Sequence, residues 1–360
     1  MYPFEEQIFR ALEDGVFPGA ALLVARGEEI LYRNFFGAST LLPEKEGLTE
    51  ATLFDIASLT KPVAATTLLL LLLKTKRLSL DTPIAKLLKE LDGEDKSKIT
   101  PRHLLKHTSG LPAWKPYFEE VKKEKPDLFG KKEAASIYVD KISQESLEFP
   151  IAYERLYSDL GFILLGIYLE KIFQIPLDLQ FQREVAAPLG LTRTHYLPND
   201  KPPEDRTLYA ATEESSTRGR LLRGEVHDDN AYALGGVAGH AGLFSHVDDL
   251  HRLLAEWQKG IRGTSELLPK ELVDEFIGIR SKFKIGWDTP ASVNSQTGSC
   301  FSINTVGHLG YTGCSFWMDL GQNFHVIFLT NRVHPTSRNE KIKEFRPLLH
   351  DLIYKELIRK

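Results

Sequence analysis

The chain has 360 residues, a net charge of −4, 42% hydrophobic residues and 26% charged residues, which are values of a folded globular protein. This length predicts one large domain or two closely joined ones. The slightly negative charge gives no reason to expect nucleic acid as a partner. Two cysteines, Cys300 and Cys314, exclude a disulfide framework, and two reduced thiols are a simpler expectation than a single bridge.

The N-terminal segment 1–7 has neither the basic region nor the apolar run of a signal peptide. The apolar run 63–73 is shorter than the roughly 20 residues that cross a bilayer. We therefore expect a buried helix there, no membrane span and a cytoplasmic protein; a periplasmic or secreted one would require that a leader had been removed. Oligomeric state is left open.

Hydrophobic periodicity predicts strands near both ends and helices between them. The order begins with a helix over 4–13 and two strands, 20–25 and 30–36, joined by a hairpin turn at Gly27. Helices are predicted over 68–73, 84–91, 101–106, 132–142, 161–173 and 247–257, with Ser245 and Asp248 as a capping box for the last. Strands follow at 283–287, 304–308, 315–319 and 325–330, and a closing helix at 341–358. The segments 112–126 and 197–236 are predicted to be long loops, which often face substrate.

This order predicts an α+β fold, in which N- and C-terminal strands share one antiparallel sheet flanked by helices. A mostly helical subdomain is inserted between them. We treat 1–360 as a single domain, with 1–75 and 245–360 forming the sheet-and-helix part and 76–244 the mostly helical part.

The stretch Ser58-Leu59-Thr60-Lys61 stands where a strand-like segment meets the apolar helix. On a helix, positions i and i+3 share a face, so Lys61 can lie beside the Ser58 hydroxyl. A serine becomes a nucleophile when a neighbouring base takes its proton, and lysine can be that base when burial keeps it neutral. The alternative is a capping serine followed by a surface lysine.

Two further segments carry possible catalytic or binding groups. Tyr157 precedes a polar pair, Ser158-Asp159, at the start of an apolar helix, where a phenol near a lysine can move protons. His308 lies on a glycine-rich strand, where it can offer a polar or cationic group to a substrate carboxylate. The amide N–H of Tyr311, just past Gly310, can join that of Ser58 in an oxyanion hole. Each segment also has a structural alternative: a half-buried tyrosine and a kinked strand.

Other residues admit weaker functional readings. His240-Ala241-Gly242 competes with His308, although a tight helix entry explains it better. The run 227–230, His-Asp-Asp-Asn, suggests metal binding, but a turn is the simpler reading and we predict no metal and no cofactor. His107 is expected to be part of the scaffold. Three aromatic residues after it are candidates for an acyl pocket or for packing: Trp114, Tyr117 and Phe118.

Together these segments resemble the superfamily of serine β-lactamases and penicillin-binding proteins, in its class C, D-Ala-D-Ala carboxypeptidase and esterase branch. The branch carries Ser-x-x-Lys, then Tyr-x-Asn, then Lys-x-Gly or His-x-Gly. The matching pairs occur here in that order: Ser58/Lys61, Tyr157/Asp159 and His308/Gly310. The stretches FPGAALLVARGEEILYRNFFG, LLKHTSGLP, GGVAGHAGLFSHVDDLHRLL, GYTGCSFWMDL and VIFLTNRVHP resemble the family's connecting segments, so the likeness covers nearly the whole chain.

The resemblance implies a β-lactamase/transpeptidase-like fold and a serine hydrolase that forms an acyl-enzyme on Ser58, aided by Lys61 and Tyr157. The substrate would be an ester, a D-Ala-terminated peptide or a β-lactam, bound with help from three residues: Asp159, His308 and Gly310. Asp159 replaces the usual asparagine and cannot donate a hydrogen bond when ionised. His308 replaces the lysine of class C β-lactamases and carries less charge. Both departures favour esterase or carboxypeptidase chemistry, and a catalytically silent peptidoglycan-peptide-binding or scaffold protein remains the alternative.

Overall fold

A computed structural model describes residues 1–76, 78–93, 95–278 and 283–359 of the chain. The strands are β1 Gly19–Arg26, β2 Glu29–Thr40, β3 Glu46–Gly47, β4 Phe54–Asp55, β5 His195–Tyr196, β6 Glu214–Ser215, β7 Arg220–Leu221, β8 Leu243–Ser245, β9 Thr305–Leu309, β10 Ser315–Asp319 and β11 Phe324–Thr330. The main sheet has six strands in the order β3-β2-β1-β11-β10-β9, with antiparallel pairing throughout. The predicted α+β class and the sharing of one antiparallel sheet by the two ends of the chain are confirmed.

The α-helices are α1 Pro3–Glu13, α2 Thr67–Lys74, α3 Pro101–Leu105, α4 Tyr117–Glu124, α5 Ala135–Gln144, α6 Asp159–Phe173, α7 Leu177–Phe181, α8 Ala187–Leu189, α9 Asp229–Ala233, α10 Val247–Arg262, α11 Lys270–Ile277 and α12 Ile342–Ile353. Short 3₁₀ turns lie at Ala57–Leu59, Ile84–Lys86, Lys89–Leu91, Pro126–Leu128, Lys132–Ala134 and Arg206–Leu208. Segments with π-helical hydrogen bonding lie at Lys61–Thr66, Gln182–Ala186 and Tyr354–Ile358.

Strand β1 is buried on both faces because helices cover the sheet on each side. Since successive side chains of a strand point to opposite faces, Leu23 enters the larger core with α2, α6 and α10, whereas Leu22 enters the smaller core with α1 and α12. A strand covered on both faces reads as a continuous apolar run. This is why β1 and β11 were recognisable from the sequence.

The helix that follows the Ser58 segment lies in the larger core. The stretch Ala57–Lys74 is as long and apolar as a membrane span requires, and 83% of it is buried inside the protein, as in the core helix of a soluble domain. The pair Asp159–Phe173 and Leu177–Leu189 meets the same criterion only when joined across a bend of 79°.

Several predicted elements were wrong in detail. The segment 84–91 forms two 3₁₀ turns, whose buried residues mimic helical spacing. In the described part of the chain, the predicted strand 283–287 does not form a ladder of hydrogen bonds with a neighbouring strand. Its residues Ile285 and Trp287 are buried, and the adjoining Asp288 forms a single bridge, to Gly307. The loop 112–126 contains α4. The predicted cap at Ser245 is instead formed by His246, whose Nδ1 accepts a hydrogen bond from the amide of Asp248.

Candidate active site

Ser58 lies on a tight turn that the chain enters in an unusual conformation. It is the middle residue of the 3₁₀ turn Ala57–Leu59, and Ala57 has a φ of +46°, which non-glycine residues seldom adopt. The Ala57 amide donates a 2.8 Å hydrogen bond to Oδ1 of the buried Asp55, which holds that conformation. A strained backbone conformation persists only where surrounding contacts maintain it, and such conformations are concentrated at functional sites.

Lys61 is completely buried, and its Nζ donates a 2.8 Å hydrogen bond to Oγ of Ser58. The same Nζ lies 2.7 Å from Oδ1 of Asp159 and donates a 3.3 Å hydrogen bond to the carbonyl of His240. Burial acts to lower the pKa of Lys61, but the Asp159 carboxylate and the Tyr157 phenol outweigh it and raise the pKa above its ordinary value. The resting lysine is therefore protonated at neutral pH.

Tyr157 lies beside this ion pair, with its ring centroid 4.8 Å from Nζ of Lys61. Its ring also packs at 4.6 Å against His107, whose Nδ1 accepts a hydrogen bond from the amide of Ser158. His107, expected as scaffold, thus holds the segment that carries Tyr157. Burial raises the pKa of Tyr157 to about 12, although Lys61 acts to lower it. The phenol is therefore protonated at neutral pH and able to donate a proton.

His308 faces the same cleft from β9, with its ring centroid 5.9 Å from that of Tyr157. Its Nδ1 contacts the carbonyl of Leu309 at 2.8 Å, and its Nε2 lies 3.9 Å from Oδ2 of Asp288. Burial lowers the pKa of His308, against the opposing effect of Asp288, so this side chain is a neutral polar group. A cation near His308 is Arg155, whose Nη2 lies 2.5 Å from Oδ1 of Asp288.

The sequence does not indicate that Arg155 and Asp288 belong to the site. Arg155 lies two residues before Tyr157, but nothing in its local pattern indicates that it turns toward Asp288, more than 100 residues away. The antiparallel bridge between Asp288 and Gly307 places Asp288 beside the strand that carries His308, and Arg155 contacts it there. The only signal was proximity to Tyr157.

The turn after β9 lies directly against the Ser58 turn. A Cβ at Gly310 would lie 2.7 Å from the carbonyl oxygen of Ile56, so only glycine allows this approach. Within the described parts of the chain, neither the Ser58 amide nor the Tyr311 amide donates a hydrogen bond to another protein group. Two free amides on adjoining segments are the arrangement that an oxyanion hole requires.

Ser58, Tyr157, His308 and the turn after β9 line one cleft of about 910 Å³. Its walls include the side chains or backbone of Ser58, Trp114, Phe118, Tyr157, Asp159, Glu213, His227, Asp228, Asp288, His308, Gly310, Tyr311 and Arg332. Of the three aromatic candidates, Trp114 and Phe118 line the cleft, whereas the Tyr117 hydroxyl donates to Glu145. A shallow depression of about 960 Å³ beside α10 is larger, but none of these residues borders it. The space therefore suits a substrate far larger than acetate.

The competing histidines have other partners. His240 lies behind Lys61, and its Nε2 contacts Oδ1 of Asp228 at 2.9 Å. His227 contacts Glu213 at 2.9 Å through Nε2. Over the ranges that the structure describes, no group of three or more His, Cys, Asp or Glu side chains could hold a metal ion.

Comparisons with known proteins agree with this architecture. An N-acetylmuramyl-L-alanine amidase from Bacillus subtilis (strain 168) is 31% identical over 359 residues, covering 92% of this chain and 80% of the relative. A protein of Escherichia coli (strain K12), provisionally described as a D-alanyl-D-alanine carboxypeptidase, is 29% identical over 354 residues, covering 88% and 79%. The solved structure of EstCE1, a hydrolase with promiscuous acyltransferase activity, has a TM-score of 0.74 at 20% identity, covering 98% and 97% of the two chains.

The EstCE1 likeness confirms the β-lactamase/transpeptidase-like fold expected from the sequence. A family model described as Beta-lactamase matches residues 4–349. The match spans the Ser58 turn, the Tyr157 segment and strand β9. The chain therefore belongs to the β-lactamase family of serine hydrolases.

Proposed function

We propose that this protein hydrolyses a carboxylic ester, a D-Ala-terminated peptide or a β-lactam amide through an acyl-enzyme on Ser58, with Lys61 and Tyr157 as general base and acid. The observation that carries the proposal is the 2.8 Å hydrogen bond between Nζ of Lys61 and Oγ of Ser58, inside the cleft that holds Tyr157. A nucleophile within hydrogen-bond reach of a titratable partner is the signature of covalent catalysis.

The proposed reaction begins when Oγ of Ser58 attacks the acyl carbonyl and its proton passes to the Lys61–Tyr157 pair. The amides of Ser58 and Tyr311 bind the developing oxyanion. Because the Lys61 amine is protonated at rest, either its proton leaves as the substrate enters or Tyr157 supplies the base. The Tyr157 phenol then protonates the leaving group, and water or another acceptor releases the acyl group.

Two features of the cleft weaken the case for an efficient β-lactamase and favour a neutral ester as substrate. The Asp159 carboxylate faces the cleft, where it repels an anionic substrate carboxylate, and the buried His308 offers no positive charge to attract one. A D-Ala-terminated peptide carries a carboxylate as well, so support for carboxypeptidase activity comes from the names of the relatives, which include an amidase, a carboxypeptidase and a hydrolase with acyltransferase activity. Binding of substrate is assigned to three residues of the cleft: Asp159, His308 and Gly310.

Adduct mapping tests the proposal. Fluorophosphonate is expected to label the protein once, and mass spectrometry of the digested protein should place the adduct on Ser58. A panel of p-nitrophenyl esters, nitrocefin and a D-Ala-D-Ala peptide should then show faster turnover of the ester or the peptide than of nitrocefin. An adduct on another serine would overturn the assignment. Absence of labelling by any acylating probe would favour the catalytically silent, peptide-binding alternative.

Replacement of Asp159 by asparagine should increase activity at neutral pH. The Asp159 carboxylate raises the pKa of Lys61 and also acts to raise that of Tyr157. Its removal lowers both values, so the rise of kcat/KM with pH should move by about one pH unit or more toward acid, as expected for a charge within about 4–6 Å. A pH series of kcat/KM with a neutral ester measures this shift.

The control for Asp159→Asn is Asp288→Asn, which removes a different cleft carboxylate that contacts Arg155 and not Lys61. It should leave the rising limb in place. A limb that is unmoved in Asp159→Asn, or that moves toward alkali, would show that the Asp159 charge does not control the base.

A further inference from the structure

We propose that Arg332 is a positioning residue for the oxyanion hole, because it fixes the orientation of Tyr311, whose amide supplies one of the two donors. This inference rests on the proposed function and names a residue to which that function gives no role. Arg332 is buried, lies two residues after the end of strand β11, and is more than 270 residues from Ser58 in the chain.

The guanidinium of Arg332 is committed to backbone carbonyls. Its Nε and Nη2 donate to the carbonyl of Tyr311 at 3.0 and 2.5 Å, and its Nη1 donates to those of Ser337 and Asn339 at 2.8 and 2.7 Å. Among the described residues it forms no ion pair with a carboxylate, unlike Arg155, which pairs with Asp288. A planar fork with several donors grips one carbonyl with two hydrogen bonds while it reaches others, which lysine cannot do.

The Tyr311 ring is held from two sides. The carbon centre of the Arg332 guanidinium lies 4.8 Å from the ring centroid, and the His227 imidazole stacks on the ring at 5.6 Å with an interplanar angle of 28°. His227 contacts Glu213, and Glu213 accepts hydrogen bonds of 3.0 and 2.7 Å from the amide and hydroxyl of Ser337. Since the Ser337 carbonyl accepts from Arg332, these contacts close into a ring.

The rest of the turn is fixed without Arg332. Gly310 donates its amide to the carbonyl of Cys314 at 2.7 Å, Gly313 donates to the carbonyl of Gly310 at 2.9 Å, and the Thr312 hydroxyl donates to the carbonyl of Asp55 at 2.7 Å. Tyr311 itself is 57% exposed. The Tyr311 amide shares its peptide plane with the Gly310 carbonyl, which the Gly313 amide holds. Arg332 holds the carbonyl and the ring on the other side of the Tyr311 Cα, so the two contacts together restrain the torsion that aims the amide N–H.

Positioning of this kind acts on the transition state, because the oxyanion forms only after Ser58 attacks. Loss of a whole oxyanion donor costs about 10²–10³ in kcat. A donor that remains in place but is less well oriented should reduce kcat by a smaller factor. We expect Arg332→Ala to lower kcat for a p-nitrophenyl ester by about 10–100-fold, with KM changed by less than about threefold.

The decisive readout compares two ligands of the same variant. A boronic acid, which forms a tetrahedral adduct with the serine, should bind Arg332→Ala more weakly by the same factor as the loss in kcat. A non-covalent substrate analogue should bind as before. Added guanidinium should restore part of kcat, and Arg332→Lys, the variant least able to disturb folding, should lie between the wild type and Arg332→Ala.

The matched control is Arg223→Ala. Arg223 also donates to backbone carbonyls, those of Tyr209 and Thr207, but does not line the cleft, so its loss should leave kcat unchanged. An unchanged kcat and boronate affinity in both Arg332 variants would overturn the inference, as would a loss confined to KM. If Ser58→Ala keeps full hydrolysis, the proposed function fails; if Ser58→Ala is inactive and the Arg332 variants are normal, only this inference fails.

Discussion

Replacement of Lys61 by alanine should lower kcat/KM for ester hydrolysis by about 10²–10⁴, the range in which general acid–base groups contribute. The change removes the donor to Oγ of Ser58 and leaves the Asp159 carboxylate without its cation. Single-turnover acylation with a p-nitrophenyl ester measures the loss in the step where the serine proton moves. The acylation rate should fall by the same factor as kcat/KM.

The variant should still fold. Breaking a fully buried ion pair costs about 3–5 kcal/mol, but the Asp159 side chain is 19% exposed, so water compensates part of its charge and the loss should be smaller. Lys284→Ala is the matched control, since Lys284 is also buried and donates to the carbonyl of Gly278 outside the cleft. Near-normal turnover in Lys61→Ala, together with an inactive Tyr157→Phe, would show that lysine is not the base.

The fold class could be predicted because buried strands and helices place apolar residues at regular spacings in the sequence. The apolar run of β1, which is buried on both faces, and the helical spacing of apolar residues in α1 and α10 could be recognised from the sequence. Elements whose burial depends on distant partners were not. Residues 283–287 alternate like a strand, yet the amide of Ile285 donates to the carbonyl of Phe276 and that of Gly286 to the carbonyl of Leu105, instead of to a ladder.

The part of the candidate site that depends on local geometry could also be predicted. Ser58 and Lys61 are three residues apart, so local helical geometry was enough to expect their contact. The family resemblance placed Lys61 and Asp159 in one site, but their direct contact depends on the packing of α6 against the helix that follows Ser58. The contacts of Arg155 with Asp288 and of Arg332 with Tyr311 had no local signal, because each joins segments that are remote in sequence.

Replacement of Tyr157 by phenylalanine should separate the acid role from the base role. Phenylalanine keeps the ring contacts with His107 and Lys61 and removes only the hydroxyl. If Tyr157 protonates the leaving group, the loss should depend on that group. An alkyl ester or a D-Ala-D-Ala peptide, whose leaving groups need a proton, should lose about 10²–10⁴ in kcat. A p-nitrophenyl ester should lose about tenfold or less, because p-nitrophenolate leaves without one.

Equal losses on all of these substrates would instead identify Tyr157 as the base that takes the Ser58 proton, since acylation needs that step whatever the leaving group. Tyr168→Phe is the matched control: Tyr168 is buried on α6, does not line the cleft, and should tolerate the change without loss of activity.

Because the pKa of Tyr157 is raised to about 12 while that of Lys61 is also raised, both groups hold their protons at neutral pH. One of them must lose its proton before Ser58 can attack, and the dependence on leaving group decides whether that one is Tyr157.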